Sequence, residues 1–165
     1  EGLQATLAAD NEPLALLFLD LDCFKTLNDR HGHRAGDRAL VAVAGALRHE
    51  LRPQDLLGRY GGEEFVAVLH GVPQAQAVQV AIRLCRRVHR LEIPVDGVER
   101  VLTISVGVAM RRPDDTPESL VERADQAMYR AKLEGRNRVR VAEHAAAHSP
   151  DTWPVAVEDP AREEP

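Results

Sequence analysis

The chain has few cysteines, no long apolar run and no excess of basic charge, and each absence closes off a class of protein. Its two cysteines, Cys23 and Cys85, lie far apart and without metal-ligand spacing, so both are expected to be reduced thiols used as small core residues. No apolar stretch approaches the roughly 20 residues needed to cross a bilayer, and no membrane contact is expected. Glu1 to Asp10 lacks the basic start, apolar centre and small-residue cleavage site of a signal peptide, so the chain reads as cytoplasmic. An initiator methionine is missing and the first residues look like the middle of a helix, which leads us to expect a piece of a longer protein. There is no internal repeat.

What is present is the composition of one soluble globular domain: 165 residues, 44% hydrophobic and 28% charged. The net charge of −5 comes entirely from the end of the chain, where from Glu143 onward six acids face Arg162 alone. Residues 1–142 are neutral overall, so no DNA partner is expected. The tail 143–165, rich in proline and acids, is expected to be disordered or a linker, with Trp153 the one residue there that could dock.

Within residues 1–142, Leu14 to Asp20 is a continuous apolar run ending in an acid, the pattern of a strand buried on both faces. Lys25 to Gly36 is polar and contains glycine, and Asp37 to Leu51 spaces Leu40, Val43, Ala44 and Leu47 at helical intervals before Pro53. Leu56 to Tyr60 and Glu64 to Leu69 read as strands joined by a tight hairpin at Gly61-Gly62. A helix from Pro73 to about Leu91 follows, then a hairpin around Asp96-Gly97 and a strand from Val101 to Met110. A last helix, Pro117 to Glu134, stops at Gly135 ahead of a short strand, Arg138 to Val141. This order predicts an α/β fold with helices on a mostly antiparallel sheet, of ferredoxin-like topology.

Two carboxylate pairs stand out. Asp20 and Asp22 lie where a buried strand runs out, and Glu63-Glu64 follows the Gly-Gly turn. Taken singly, the first pair reads as a strand-end turn and the second as solvated glutamates. If the two strands are neighbours, three or four carboxylates converge. Hard oxygen ligands without His or Cys select Mg²⁺ or Mn²⁺, and Mg²⁺ completes its shell with substrate phosphate oxygens, which points to a nucleoside triphosphate.

Arg59-Tyr60-Gly61-Gly62-Glu63-Glu64-Phe65 resembles the GGDEF/GGEEF signature loop of diguanylate cyclases. Upstream, Asp20-Leu21-Asp22-Cys23-Phe24-Lys25, Asn28-Asp29, Gly32-His33 and Gly36-Asp37 are similar to that family's D-x-D-x-F-K…N-D-x-x-G-H-x-x-G-D block. Downstream, Thr103 to Ala109 is similar to its T-x-S-x-G strand, and Ala124-Asp125, Tyr129, Lys132 and Gly135-Arg136-Asn137 to the end of its last helix. The matches run in order over about residues 14–141. The resemblance implies a palm-like, ferredoxin-type nucleotidyl cyclase domain that joins two GTP molecules into cyclic di-GMP and two pyrophosphates at a homodimer interface. It further implies two Mg²⁺ or Mn²⁺ ions per GTP half-site, held by Asp20, the Leu21 carbonyl, Glu63 and Glu64, with Glu63 nearest the attacking 3′-hydroxyl. Backbone amides near Cys23 and Phe24 and the Lys25 ammonium would receive phosphates, with Lys132 and Arg136 on the β- and γ-phosphates and Gly61 and Gly62 letting the substrate approach the backbone. Asn28 and Asp37 would read guanine, because a carboxylate accepts from both N1–H and the 2-amino group, with His33 in support.

Arg52-Pro53-Gln54-Asp55 stands where the family carries an R-x-x-D product-binding site, and Arg83 where it places a second product-binding arginine; the same tetrapeptide is also a common helix end. The family's opening D-x-L-T-x-L-x-N-R segment is absent from Glu1 to Asn11. Truncation is the expected cause, and a sensory or dimerisation domain is expected upstream. Three other readings compete: a catalytically silent cyclic di-GMP receptor, which the intact Asp20, Lys25, Glu63 and Glu64 oppose; a cyclase using adenine nucleotides, which Asp37 opposes; and a structural dimerisation domain, which no feature favours.

Overall fold

The computed structural model describes residues 13–95 and 98–143. Strand β1, Leu14–Leu21, is buried along its whole length because it lies at the centre of a five-stranded sheet. It pairs antiparallel with β3, Glu64–His70, on one side and with β6, Ile104–Met110, on the other. Strand β2, Leu56–Arg59, forms one edge against β3, and β7, Val139–Val141, runs parallel to β6 at the other. A separate hairpin pairs β4, Ile93–Val95, with β5, Val98–Arg100; the Asp96-Gly97 turn predicted there lies outside the described residues. Four helices complete the described part: α1, Phe24–His31; α2, His33–Glu50; α3, Gln74–His89; and α4, Pro117–Leu133. This is the mostly antiparallel α/β architecture that the sequence implied.

Alternation along β1 sorts the helices onto two faces. Ala15, Leu17, Leu19 and Leu21 pack with the apolar sides of α2 and α3, while Leu14, Leu16 and Phe18 pack with Leu120, Ala124 and Met128 of α4. The same alternation carries Asp20 and Asp22 to the α4 side. Helix α4 starts in a capping box between Thr116 and Ser119, with Pro117 in its first turn, which satisfies N–H groups the helix cannot. Its backbone then crosses directly over Gly107: a Cβ there would overlap the Ala124 carbonyl and the Met128 amide nitrogen.

Several expectations need correction. Lys25 to Gly36 is not irregular: α1 forms because Phe24 and Leu27, three residues apart, are both buried, and α2 begins at His33, four residues earlier than its apolar spacing suggested. The break between them is Gly32, at φ 76°. Gly61-Gly62 is not a two-residue turn; residues 60–63 join β2 to β3, and neither glycine is in the left-handed region. The strand predicted from Val101 starts at Ile104 and the one predicted from Arg138 starts at Val139. Cys85 is a buried core thiol as expected, but Cys23 is exposed, because it caps α1 in the left-handed conformation. The expected tail, except Glu143, lies outside the described residues. Among the described residues no helix is long and apolar enough to cross a membrane.

Gly107→Ala tests the close approach of α4. Overfilling a packed contact costs about 1–3 kcal/mol, so the variant is expected to unfold at lower denaturant concentration, with an unchanged dependence on denaturant. Parental stability would show that α4 is free to lift from the sheet.

Candidate active site at the end of β1

The pairing of β1 with β3 sets Asp20 directly opposite Glu64, so the strand-end acid and the signature-loop acids share one edge of the sheet, as the sequence required if the two strands were neighbours. The Leu21 N–H donates to the Glu63 carbonyl at 3.2 Å. Since the N–H and C=O of one strand residue point to the same side, the Leu21 carbonyl is turned toward the same loop. On the α4 side, the Lys132 Nζ stands 2.7 Å from Asp20 Oδ1. Burial, above all, pushes the Asp20 carboxyl up from the usual range, and the charges of Asp22 and Asp125 add to the rise against the Lys132 ammonium. Glu63 and Glu64 are likewise raised, first by burial and then by Asp20.

Asp22 does not join this cluster. Its carboxylate accepts from Thr103 Oγ1 at 2.7 Å, Ser105 Oγ at 2.8 Å and the Asn137 backbone N–H at 3.0 Å. With three donors it needs no cation. It ties β1 to the start of β6 and to the turn after α4, where Gly135, Arg136 and Asn137 all have positive φ. That turn carries Arg136, which is exposed, so Asp22 holds the end of α4 in place from beneath.

The signature loop is held by Arg59, whose guanidinium donates to the Gly61 carbonyl at 3.1 Å and the Gly62 carbonyl at 2.6 Å. Both carbonyls are thereby turned away from the opposite face of the loop. The Glu64 carboxylate lies against Gly61: a Cβ there would overlap Glu64 Oε2 and make that side chain move.

Beyond β1 the chain enters α1 through Cys23 at φ 58°. A left-handed residue followed by a helical one makes a concave set of N–H groups suited to an anion. No side chain caps this helix start, and Lys25 is exposed in its first turn. Asn28 packs on Gly36, where a Cβ would overlap its Oδ1; that oxygen is buried without a hydrogen-bond partner. The next residue, Asp37, is exposed and lines a cleft of about 430 Å³ with apolar side chains of α2, among them Leu40 and Val41, and with Leu57, Arg59 and Phe65. His33, the first residue of α2, is exposed.

Among the described residues no three His, Cys, Asp or Glu side chains converge on a common metal position. The donor set nevertheless suits Mg²⁺ or Mn²⁺ in its chemistry: three carboxylates whose proton affinity burial raises, a carbonyl turned toward the same loop, and a cation already drawn to Asp20.

The other predicted residues lie past the C-terminal end of α2. Arg52 is exposed, whereas Asp55 is buried and turned into its own loop, with Oδ2 accepting from the Arg52 N–H at 3.0 Å. Its Oδ1 is buried without a partner. Arg48 pins the loop through the Asp55 and Arg52 carbonyls. Arg83 is engaged by the Glu50 carboxylate and carbonyl, both at 2.9 Å, which brings it to the same end of α2. Sequence reasoning missed the roles of Arg48, Arg59, Asp22 and Asp125. Only Asp125 left a signal: at seven residues before Lys132 it shares its helix face.

Because the folded protein holds the Glu63 proton more tightly than the unfolded chain does, ionised Glu63 costs stability. The cost is absent below the unfolded-state value of about 4.3 and complete once the pH exceeds the raised folded-state value. Glu63→Gln is therefore expected to raise the melting temperature in neutral solution, with the advantage shrinking on acidification. A lower midpoint at neutral pH would contradict this.

The chain is similar to known proteins. The family described as diguanylate cyclase, GGDEF domain, matches residues 1–138. Diguanylate cyclase A of Treponema denticola is 41% identical over 134 residues, which are 81% of this chain and 36% of that protein. The chain thus spans about a third of the length of this relative. The crystal structure of the GGDEF domain of DgcB from Caulobacter crescentus in complex with c-di-GMP superimposes with a TM-score of 0.82 at 31% identity, covering 87% of each chain. The active GGEEF domain of a diguanylate cyclase from Vibrio cholerae gives 0.80 at 29% identity, over 87% of this chain and 94% of that one. The fold, the paired acids at the end of β1 and these matches together show that the chain belongs to the GGDEF domain family of diguanylate cyclases.

Proposed function

We propose that this chain condenses two GTP molecules into cyclic di-GMP and two pyrophosphates, in the cytoplasm, as a homodimer in which each protomer holds one GTP. The observation that carries the reading is the register of Asp20 against Glu64, which gathers acids at the exit of β1 beside an uncapped helix start. Asp20, the Leu21 carbonyl, Glu63 and Glu64 would hold two Mg²⁺ or Mn²⁺ ions. Divalent metal there supplies acidification of the 3′-hydroxyl and neutralisation of triphosphate charge. The amides of Cys23 and Phe24, with Lys25, Lys132 and Arg136, bind and orient the phosphates for in-line departure of pyrophosphate. The apolar wall of the cleft covers one face of the base, while Asn28 and Asp37 receive its donors, the unpartnered Asn28 Oδ1 supporting this assignment; His33 supports them from the start of α2. In this reading Glu63 lies nearest the attacking 3′-hydroxyl, as metal ligand or as base. The catalytic unit in this reading is residues 1–142, with 143–165 an acidic tail.

Incubation with GTP and Mg²⁺ followed by nucleotide chromatography tests this reading, with ATP as control. Cyclic di-GMP is expected from GTP alone, with turnover per protomer rising with protein concentration. Asp20→Asn and Glu64→Gln should each reduce turnover by more than about 100-fold, beyond what changes outside a metal's direct ligands cost. Near-parental rates in either would remove the acids from the site.

Product is proposed to bind at Arg52, Asp55 and Arg83 and to hold two domains apart, so that inhibition is not competitive with GTP. The unpartnered Asp55 Oδ1 supports this as the acceptor for a guanine N–H. Arg52→Ala should leave initial velocity near normal and weaken calorimetric cyclic di-GMP binding by about 1.5–3 kcal/mol. Parental affinity in that variant would leave the tetrapeptide as a helix end.

A further inference from the structure

We propose that Lys132 is a resident counter-cation that competes with divalent metal for Asp20, so that metal loads fully only when a triphosphate draws the lysine away. The inference rests on the function proposed above. Asp20 is buried in its side chain and would be costly to leave ionised and alone; the Lys132 ammonium at 2.7 Å from Oδ1 answers that charge. A metal ion bound to the same carboxylate would lie within a few Å of that ammonium, and repulsion between the two cations weakens the hold of each on Asp20. Helix α4 is held close to the sheet. Its backbone rests on Gly107, and the turn after it is tied to Asp22 through the Asn137 N–H. The side chain itself must move, and Lys132, a quarter exposed, has the stem to do so. A lysine suits the exchange: its compact charge on a flexible chain breaks contact at one point, whereas an arginine fork would grip both carboxylate oxygens. Asp125, two turns earlier on the same helix face, feels the lysine's charge as well, so the displaced ammonium stays in a favourable field. By linkage, a nucleotide that binds Lys132 must tighten metal binding, and metal must tighten nucleotide binding by the same factor.

The test is Mn²⁺ binding to the nucleotide-free full chain, read by electron paramagnetic resonance of free Mn²⁺. Lys132→Met, which keeps length and removes charge, should bind Mn²⁺ about tenfold or more tightly than the parent, a change of ~1.4 kcal/mol. The same variant should show a larger rise in melting temperature on adding Mn²⁺ alone. Binding no tighter than the parent, while Asp20→Asn abolishes it, would overturn the competition and leave the proposed function standing. Tight binding that survives in the Lys132→Met, Asp20→Asn double variant would overturn the placement of metal on Asp20 and the competition with it. Should Lys132→Met misfold, amine labelling of the parent decides: reductive methylation of Lys132, followed by mass spectrometry, should accelerate at saturating Mn²⁺ without nucleotide. An unchanged rate would overturn the proposal.

Discussion

The architecture turns on one close approach, the backbone of α4 lying on Gly107 at the centre of the sheet. A side chain at that position would lift the helix, and the contacts that α4 and its following turn make with Asp20 and Asp22 depend on its height. Lys132 reaches Asp20 only because the helix is low. The following turn meets Asp22 only because the helix ends where it does. The apolar packing of Phe18 with Leu120, Ala124 and Met128 thus fixes the electrostatics of the acids a few residues further along the same strand, and packing and charge cannot be altered independently here.

Helix α2 divides the domain's ligand chemistry in two. Asn28 precedes it, Asp37 lies in its second turn and Arg52 and Asp55 follow its last, so of its 18 residues the stretch from Asp37 onward sets the two groups roughly 20 Å apart. Under the proposed function, an occupant at one end of this helix would leave the other end open. Arg83, held by Glu50, joins α3 to the far end, which makes that end a junction of two helices.

Much of this was legible in the sequence. The unbroken apolar run of β1, the acid at its end, the Gly-Gly pair before Glu63 and the three longer helices all follow from local pattern. What was hidden depends on pairing across the sheet. Asp22 reads as an equal of Asp20 until register shows that it faces the hydroxyls of Thr103 and Ser105; two acids spaced for one face of a strand then take opposite roles. Helix α1 was hidden because its two buried residues are too few to mark a period. The exposure of Cys23 was hidden because left-handed backbone at a non-glycine residue has no signal in composition. The inward turn of Asp55 was hidden because a side chain that bonds its own loop looks, in sequence, like one that is free to bind a ligand.

The raised proton affinities of Asp20, Glu63 and Glu64 also bear on how such a domain changes over evolutionary time. Acids gathered at the end of one strand burden the fold, so if they carry the proposed reaction, the substitution that silences it is the one that relieves the scaffold. Decay toward an inactive but sturdier domain is therefore downhill in stability, and only selection for the reaction holds the cluster together. The distant end of α2 carries no such burden of gathered acids, and under the proposed function its contacts with product can outlast the catalytic ones.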